Sequence, residues 1–164
     1  MSGAAITKAA LVGIRASQAC FRGLSLAVGC FTLGCRLEGA DFSGAQLNEV
    51  SFRDTPLRGA NFSHAQLRGS DFSGCDLRES RFYGADARGA RLVRADLGAA
   101  DLSSCNLAGA VLQHALLAGT SLSHANLHEA DLARIRVVGQ VSFAGAIFTR
   151  ARTRPRHRRD GGEG

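Results

Sequence analysis

The sequence predicts an all-β solenoid, in which short extended segments alternate with tight turns along most of the chain. Three regularities predict this class: a large apolar residue recurs at every fifth position, a small residue lies two positions before it, and glycine often lies two positions after it. An amphipathic helix repeats near every 3.6 residues and a half-buried strand at every second residue, so a period of five fits neither. A unit of five residues can hold one extended segment and one turn.

The large apolar position, called the central position below, carries the repeat. Phenylalanine and leucine alternate there from Leu37 to Phe82, which makes the finer period ten residues. Leucine then occupies the central position from Leu92 to Leu132, and only Ala87 is small. This long unbroken spacing predicts a single repetitive domain.

Side-chain direction explains the residues around each central position. Side chains alternate between the two faces of an extended segment, so the central residue and the small residue two before it both point inward. The residue immediately before the centre then faces solvent, and it is usually polar, often aspartate or asparagine. Glycine two positions after the centre tolerates the positive φ that some tight turns require.

The units "ADFSG", "ANFSH", "ADLGA", "CNLAG" and "ANLHE" resemble the A(D/N)LXX units of the pentapeptide-repeat family. The resemblance covers roughly Ala19 to Arg150. It implies a right-handed quadrilateral parallel β-helix, in which each pentad forms one side of a square coil and four pentads complete a turn. Residues twenty apart then stack at about the 4.8 Å spacing of neighbouring strands.

Stacking at twenty residues turns the alternation along the chain into ladders in space. Two ladders of phenylalanine and two of leucine are expected to fill the interior, and Ala87 falls within one of the leucine ladders. The expected structural core comprises Phe42, Phe62 and Phe82 on one side, Phe52 and Phe72 opposite, Leu37, Leu57, Leu77 and Leu97 on a third side, and Leu47, Leu67 and Leu107 on the fourth.

The ends of the chain depart from the repeat. Ile6, Ala10 and Ile14 have a helical spacing, so the N-terminal segment is expected to be either a short capping helix or an unstructured leader. The phase also slips by one residue near Gly34 and again near Gly139, as a bulge or corner insertion would produce. The predicted parts are a cap or leader at residues 1–18, the β-helix at 19–150 and a basic, disordered tail at 151–164.

The formal net charge of +6 is concentrated at the two ends of the chain. Acidic and basic residues nearly balance within the repeat, which offers no single basic stripe for nucleic acid. The basic tail either extends the chain as a solubilising segment or attracts polyanions weakly and without sequence preference. Its cations are Arg150, Arg152, Arg154, Arg156, Arg158 and Arg159.

Residue types that perform catalysis or bind metals do not cluster in the pattern. The five cysteines have no C-x-x-C spacing, and three of them occupy the small inward position, where a thiol replaces alanine. His64, His114 and His124 all lie at turns but do not come together on one side. No serine has a histidine and a carboxylate arranged in support. We therefore expect no enzyme activity, no cofactor and no metal site.

A non-catalytic protein-interaction or scaffold protein is the main functional hypothesis, and the sequence does not identify its protein partner. The family resemblance implies an alternative, because some members act as DNA mimics that bind DNA gyrase and topoisomerase IV and protect them from quinolones. Two features depart from that group: the repeat is not clearly acidic, and no amphipathic C-terminal helix follows it. The oligomeric state stays open.

Two outward-facing apolar residues are candidates for an interaction patch. Val111 and Leu116 occupy the position before the centre, where the pattern favours aspartate or asparagine. They form either a contact patch for a partner or second copy, or ordinary isolated surface residues. No apolar run approaches the roughly 20 residues of a membrane span, and we expect a cytoplasmic protein without membrane association.

Overall fold

Parallel pairing between successive coils builds the whole described fold. The computed structural model describes residues 5–32 and 34–154. It contains four regular strands, β1 (Ala5–Val12), β2 (Ser25–Thr32), β3 (Leu116–Ala118) and β4 (Arg136–Val138). β1 pairs with β2 and β3 pairs with β4, both in parallel. Within the described ranges, no helix is long and apolar enough to cross a membrane.

Elsewhere each pentad contributes a single paired residue, and the pairing offset is twenty. Asp41 pairs with Asn61, and Asn61 pairs with Arg81. The Asn61 amide donates to the Ala40 carbonyl at 2.9 Å, and the Phe62 amide donates to the Arg81 carbonyl at 2.7 Å. Twenty residues contain four pentads, so every fourth pentad lies directly above its predecessor.

Each pentad ends in a turn whose corner residue has a positive φ. In one pentad the Phe62 carbonyl accepts the Ala65 amide at 3.0 Å, and the corner residue His64 has φ of 59°. The next corner on that side is Gly84, with φ of 63°. The frequent glycine two positions after the centre therefore matches a conformation that strains other residues.

The offset rises to twenty-one at two places, which are the phase slips that the sequence indicates near Gly34 and Gly139. One extra residue in a corner lengthens that coil without moving the central residues off their sides. The offset is twenty-one in the pairs Cys30–Ser51 and Ser121–Ser142, and twenty in the pairs Ser51–Asp71 and Asp101–Ser121.

The phenylalanine rings form two stacked ladders that face each other across the interior. The rings of Phe42 and Phe62 are 5.1 Å apart, those of Phe62 and Phe82 are 4.9 Å apart, and those of Phe52 and Phe72 are 5.0 Å apart. Phe52 meets Phe62 of the opposite ladder edge-to-face at 5.7 Å and 76°. Both arrangements are favourable for aromatic quadrupoles.

Leucine and small side chains complete the interior. Ala87 is also buried, between Leu67 and Leu107 in its ladder. Dense packing of this kind leaves chemistry and recognition to the outer surface. The leucines expected in the core are all buried: Leu37, Leu47, Leu57, Leu67, Leu77, Leu97 and Leu107. The later central leucines are buried as well: Leu92, Leu102, Leu112, Leu117, Leu122, Leu127 and Leu132.

The expected N-terminal capping helix is wrong, because this segment forms strand β1. β1 adds a coil to the ladder at an offset of twenty, with Ile6 opposite Leu26 and Leu11 opposite Phe31. The pairing covers the edge of β2 and satisfies its backbone groups, which outweighs a weak helical spacing. The first four residues lie outside the described ranges.

The coil also continues two residues past the predicted boundary at residue 150. The Arg152 amide donates to the Ala130 carbonyl at 2.8 Å, and the Leu132 amide donates to the Arg152 carbonyl at 2.7 Å. The expectation of a disordered tail is therefore wrong for residues 151 and 152. Its remainder from residue 155, including Arg156, Arg158 and Arg159, lies outside the described residues.

Apolar side chains are exposed at the C-terminal end of the described stack. Val137 is 51% exposed, Val138 53%, Ile147 51% and Phe148 41%. Interior positions such as Phe62 are 0% exposed. Val137 and Phe148 occupy central positions, which are therefore exposed at the end of the stack although they are buried in the middle, whereas Val138 and Ile147 lie at outward-facing positions.

Candidate partner-binding groove

The buried thiols are unreactive packing groups. Burial raises the pKa of the Cys75 and Cys105 thiols to about 12, so both stay protonated at neutral pH. The Cys75 thiol donates to the Phe52 carbonyl of the preceding coil at 2.8 Å. Across residues 5–32 and 34–154, no three His, Cys, Asp or Glu side chains are grouped as metal ligands.

An open groove of about 690 Å³ lies on the side that carries Leu92, Leu112 and Leu132. We call it the side groove. Val93, Val111 and Ala133 supply its apolar surface, and charged and polar side chains surround them. The surrounding side chains are those of Arg91, Gln113, His114, Glu129, Asp131, Arg134 and Arg152.

The repeat fixes where each groove residue points. Arg91, Val111 and Asp131 precede their centres and pair in register, so they form one column along the coil axis. Val93 and Ala133 come immediately after their central leucines and belong to a second column that runs parallel to the first. Neighbouring members of a column are about 4.8 Å apart. The short Ala133 side chain leaves room between longer neighbours, which creates the depression.

The carboxylate of Asp131 is already occupied. Its Oδ2 accepts the Gln113 amide Nε2 at 2.8 Å, and its Oδ1 accepts the Ala133 backbone amide at 3.0 Å. Arg152 approaches Oδ2 only to 3.8 Å, and the Asp131 side chain is 15% exposed. This acid therefore neutralises Arg152 incompletely and offers little negative surface to a ligand.

Arginines along the groove are loosely paired or unpaired. Arg91 lies 3.8 Å from the Asp71 carboxylate and keeps 52% of its side chain exposed. Arg94 and Arg134 make no ion pair with any residue of the described ranges, and exposed His114 occupies the corner between them in the stack. The lining thus holds three arginines, Arg91, Arg134 and Arg152, against two carboxylates, Asp131 and Glu129. Glu129 lies 3.4 Å from Arg150, so a small excess of positive charge remains.

Carboxylates nearer the N-terminus are held much more tightly. The Asp86 carboxylate accepts hydrogen bonds from the Arg88 and Arg68 guanidinium groups, each with an N–O distance of 2.7 Å. The Arg88 hydrogen bond, with help from Arg68, lowers the pKa of Asp86 to about 2 although burial opposes ionisation. Arg78 likewise holds the pKa of Asp76 below its usual value. Surface charge is therefore largely paired in that region, in contrast to the groove.

Two family profiles match this chain. The "Pentapeptide repeat region" matches residues 30–102, and "Pentapeptide repeats (8 copies)" matches residues 100–136. The chain is a pentapeptide-repeat protein. No curated protein sequence matches it significantly.

Solved structures of other pentapeptide-repeat proteins are similar to this one at low identity. Full-length QnrB1, a plasmid-mediated fluoroquinolone resistance protein, is 18% identical over 93% of this chain and 88% of its own, with a TM-score of 0.44. HetL, involved in heterocyst differentiation regulation in the cyanobacterium Nostoc sp. strain PCC 7120, is 23% identical over 93% and 86%, with a TM-score of 0.31. Rfr23 from the cyanobacterium Cyanothece 51142 is 25% identical over 72% and 86%, also at 0.31.

The pentapeptide-repeat coil places the two residues of the expected apolar patch on neighbouring sides. Val111 lines the side groove, whereas Leu116 lies half-buried in β3 on the next side and does not line it. Of the tail arginines, Arg152 lines the groove and Arg150 lies 3.4 Å from Glu129. Arg154 is exposed.

Sequence reasoning did not bring Arg91, Gln113, His114 and Arg134 together as a site. A signal was present for Arg91, His114 and Arg134, because each replaces a residue that is common at its place in the pentapeptide repeat. Arg91 stands where aspartate or asparagine is common, and Arg134 stands where glycine is common. Only the stacking of coils places these departures side by side.

Proposed function

We propose that this pentapeptide-repeat protein is a non-catalytic protein-binding scaffold. The observation that carries the proposal is the side groove, an open depression of about 690 Å³ with an apolar surface and a cationic rim. Binding pockets generally combine an apolar lining with a few placed polar groups. Because the interior side chains fill the coil, recognition is left to its outer sides.

We further infer that the coil is right-handed and four-sided. The pairing offset of twenty residues, or four pentads, supports four sides. Connections between parallel strands of one sheet are almost always right-handed, which supports the handedness. Such a coil presents flat sides whose residues recur at each turn, a surface suited to an extended partner.

The DNA-mimic alternative, binding to a type II topoisomerase, has less support from the surface. A DNA mimic needs a continuous negative surface, whereas Asp41, Asp71, Asp76 and Asp86 each lie within 3.2 Å of an arginine. We expect purified protein at micromolar concentration to leave DNA supercoiling by gyrase unchanged, with or without a quinolone. Inhibition or protection in that assay would favour the alternative.

Photocrosslinking from all four sides of one coil tests the scaffold proposal. Ser103, Ala108, Gln113 and Ala118 follow four successive centres, so each lies on a different side. A photoreactive amino acid at each position in turn, expressed in the native host, should capture the same protein partner repeatedly from at least one side. Absence of any crosslinked protein from all four positions would contradict the proposal.

A further inference from the structure

We propose that the side groove binds an extended, acidic protein segment that inserts one large apolar side chain between its carboxylates. This inference rests on the proposed scaffold function and names the surface and the partner chemistry. It follows from three features of the groove: an apolar floor, a rim of accessible cations, and the absence of phenylalanine, tyrosine and tryptophan from its described lining.

The floor provides the place for the apolar side chain. Val93 and Val111 are half-buried, and Ala133 is 4% exposed. Val111 stands in a column whose neighbours, Arg91 and Asp131, are charged, so its apolar surface is enclosed by polar groups. A leucine-sized side chain placed there would remove apolar surface from water on both partners.

The arginines of the rim can bind carboxylates on either side of the inserted apolar side chain. Arg91 lies one coil below Val111, Arg152 lies two coils above it, and Arg134 lies at the adjoining corner. Arginine binds carboxylate through paired, charge-assisted hydrogen bonds. Asp131 is engaged by Gln113, so these arginines retain donors for an incoming acid.

A protein segment fits this lining better than a nucleic acid. Single-stranded nucleic acid binding depends on aromatic side chains that stack on bases. The floor of the described groove holds valine and alanine instead, and the imidazole of His114 lies at a corner rather than on the floor. In an extended peptide, alternate side chains point the same way, so an apolar residue and the acids two positions away can reach floor and rim together.

A double variant removes the groove chemistry while keeping the repeat. Val111→Asp installs the residue that is commonest before the centre, and Arg134→Gly installs the residue preferred at a corner of positive φ, which is 61° at Arg134. Arg81→Asp with Tyr83→Ser is the matched control on another side. It also removes one cation and one exposed apolar residue, since Tyr83 is 48% exposed.

Both double variants lower the formal charge of the protein by the same amount and keep the full tail. Non-specific attraction of anionic ligands should therefore change equally in the two. Fluorescence anisotropy would compare a labelled peptide carrying one leucine flanked by aspartates with an oligo-aspartate of equal length and an oligothymidylate. We expect the leucine peptide to bind the wild-type protein more tightly than oligo-aspartate does. The groove variant should weaken that binding about tenfold, or about 1.4 kcal/mol, and the control variant should leave it unchanged.

Equal weakening by both double variants, or no advantage of the leucine peptide over oligo-aspartate, would overturn the inference. Selective loss of oligothymidylate binding in the groove variant would overturn it in favour of a nucleic-acid site. Circular dichroism establishes that each variant has folded. A partner crosslinked from Ser103, Ala108 or Ala118 but never from Gln113 would remove the groove assignment and leave the scaffold function intact.

Discussion

The ring of Phe62 lies parallel to the ring of Phe42, with 5.1 Å between centroids and 3° between planes. Phe82 stacks on its other face at 4.9 Å. Phe52 and Phe72 of the opposite ladder present edge contacts at 5.7 and 5.3 Å. Phe62 is therefore enclosed by aromatic rings on both faces and along its edge, and its removal should be costly.

Truncation of Phe62 should destabilise the fold far more than truncation of a terminal phenylalanine. Phe62→Ala is expected to lower the free energy of unfolding by about 3–5 kcal/mol, through lost burial and the cavity left behind. Phe148→Ala should cost much less, because Phe148 is 41% exposed at the end of the stack. Urea denaturation of both variants measures the difference, and equal losses would argue against the ladder as the main source of stability.

Restoring a large residue at position 87 should be tolerated or mildly stabilising. Ala87 is buried between Leu67 and Leu107, at the only central position without a large side chain in the main repeat. Leucine at this position would complete the ladder and bury further methyl groups at about 0.8 kcal/mol for each CH₂. Thermal denaturation of Ala87→Leu checks this, and unfolding of the variant would mean that the site has no room.

Much of this fold follows from the sequence because the repeat leaves one consistent arrangement. The period of five, the inward pairing of central and small residues, and the corner glycines together determine which side chains stack. The N-terminal segment was mispredicted because Ile6, Ala10 and Ile14 also suit a helix. Pairing of β1 with β2 is a contact between distant residues, and local spacing cannot reveal its free energy.

Two corner glycines should respond differently to an added methyl group. A Cβ at Gly84 would lie 2.8 Å from His64 Nδ1, whereas a Cβ at Gly89 would meet nothing within 4 Å. Both corners have positive φ, 63° and 67°, so each alanine variant should lose about 1–2 kcal/mol from backbone strain. Gly84→Ala should lose more, because His64 must move from its edge contact with Tyr83.

Chemical denaturation of Gly84→Ala and Gly89→Ala measures this comparison. A double variant that adds His64→Ala to Gly84→Ala is the control, since it removes the obstructing ring. It should bring the cost of the alanine close to that at Gly89. An equal loss at Gly84 and Gly89 in the presence of His64 would show that the ring moves aside freely.

The ion pairs of Asp86 should contribute stability that disappears in acid. Arg88 and then Arg68 lower the pKa of Asp86 from 3.8 to about 2 in the folded protein. A carboxyl group whose folded pKa is depressed stabilises the fold above its unfolded pKa, and this contribution is lost as the pH falls through the folded value. The stability difference between wild type and an Arg68→Met, Arg88→Met variant should thus be constant above about pH 4 and shrink towards pH 2.

An NMR titration of the Asp86 carboxyl provides a direct check on that prediction. Its pKa should rise towards the ordinary aspartate value in the double variant. An Arg81→Met variant is a suitable control, because Arg81 lies on another side and does not perturb the Asp86 carboxyl. A difference in stability that persists unchanged to pH 2 would assign it to lost packing of the arginine side chains.

Truncation should show whether the coil ends at residue 150 or continues to residue 152. A chain that stops after residue 150 lacks the two backbone hydrogen bonds of Arg152, to Ala130 and from Leu132. A chain that stops after residue 154 retains both. The first truncation should therefore have the lower melting temperature in a calorimetric scan, and identical melting temperatures would place the effective end of the coil before Ala151.

The groove was harder to predict than the core because its residues share no local motif. Val111 and Arg134 are 23 positions apart in the sequence, and each looks like an isolated exception to the repeat. A twenty-residue coil brings such exceptions onto one side, where their chemistry combines. Sequence patterns reveal what repeats, whereas this candidate site depends mainly on residues that depart from the repeat.

The twenty-residue offset sets a rule for how chains of this kind can change length. Loss of residues 62–81 would join Asn61 to Phe82. Every later side chain would keep its side of the coil, and the protein would be one coil shorter. Loss of only residues 62–66 would instead move every later pentad to its predecessor's place in the coil. Phenylalanine columns would then continue as leucine columns, and the groove would open in another direction. An insertion or deletion in such a protein therefore rotates everything beyond it, unless its length is a multiple of twenty residues.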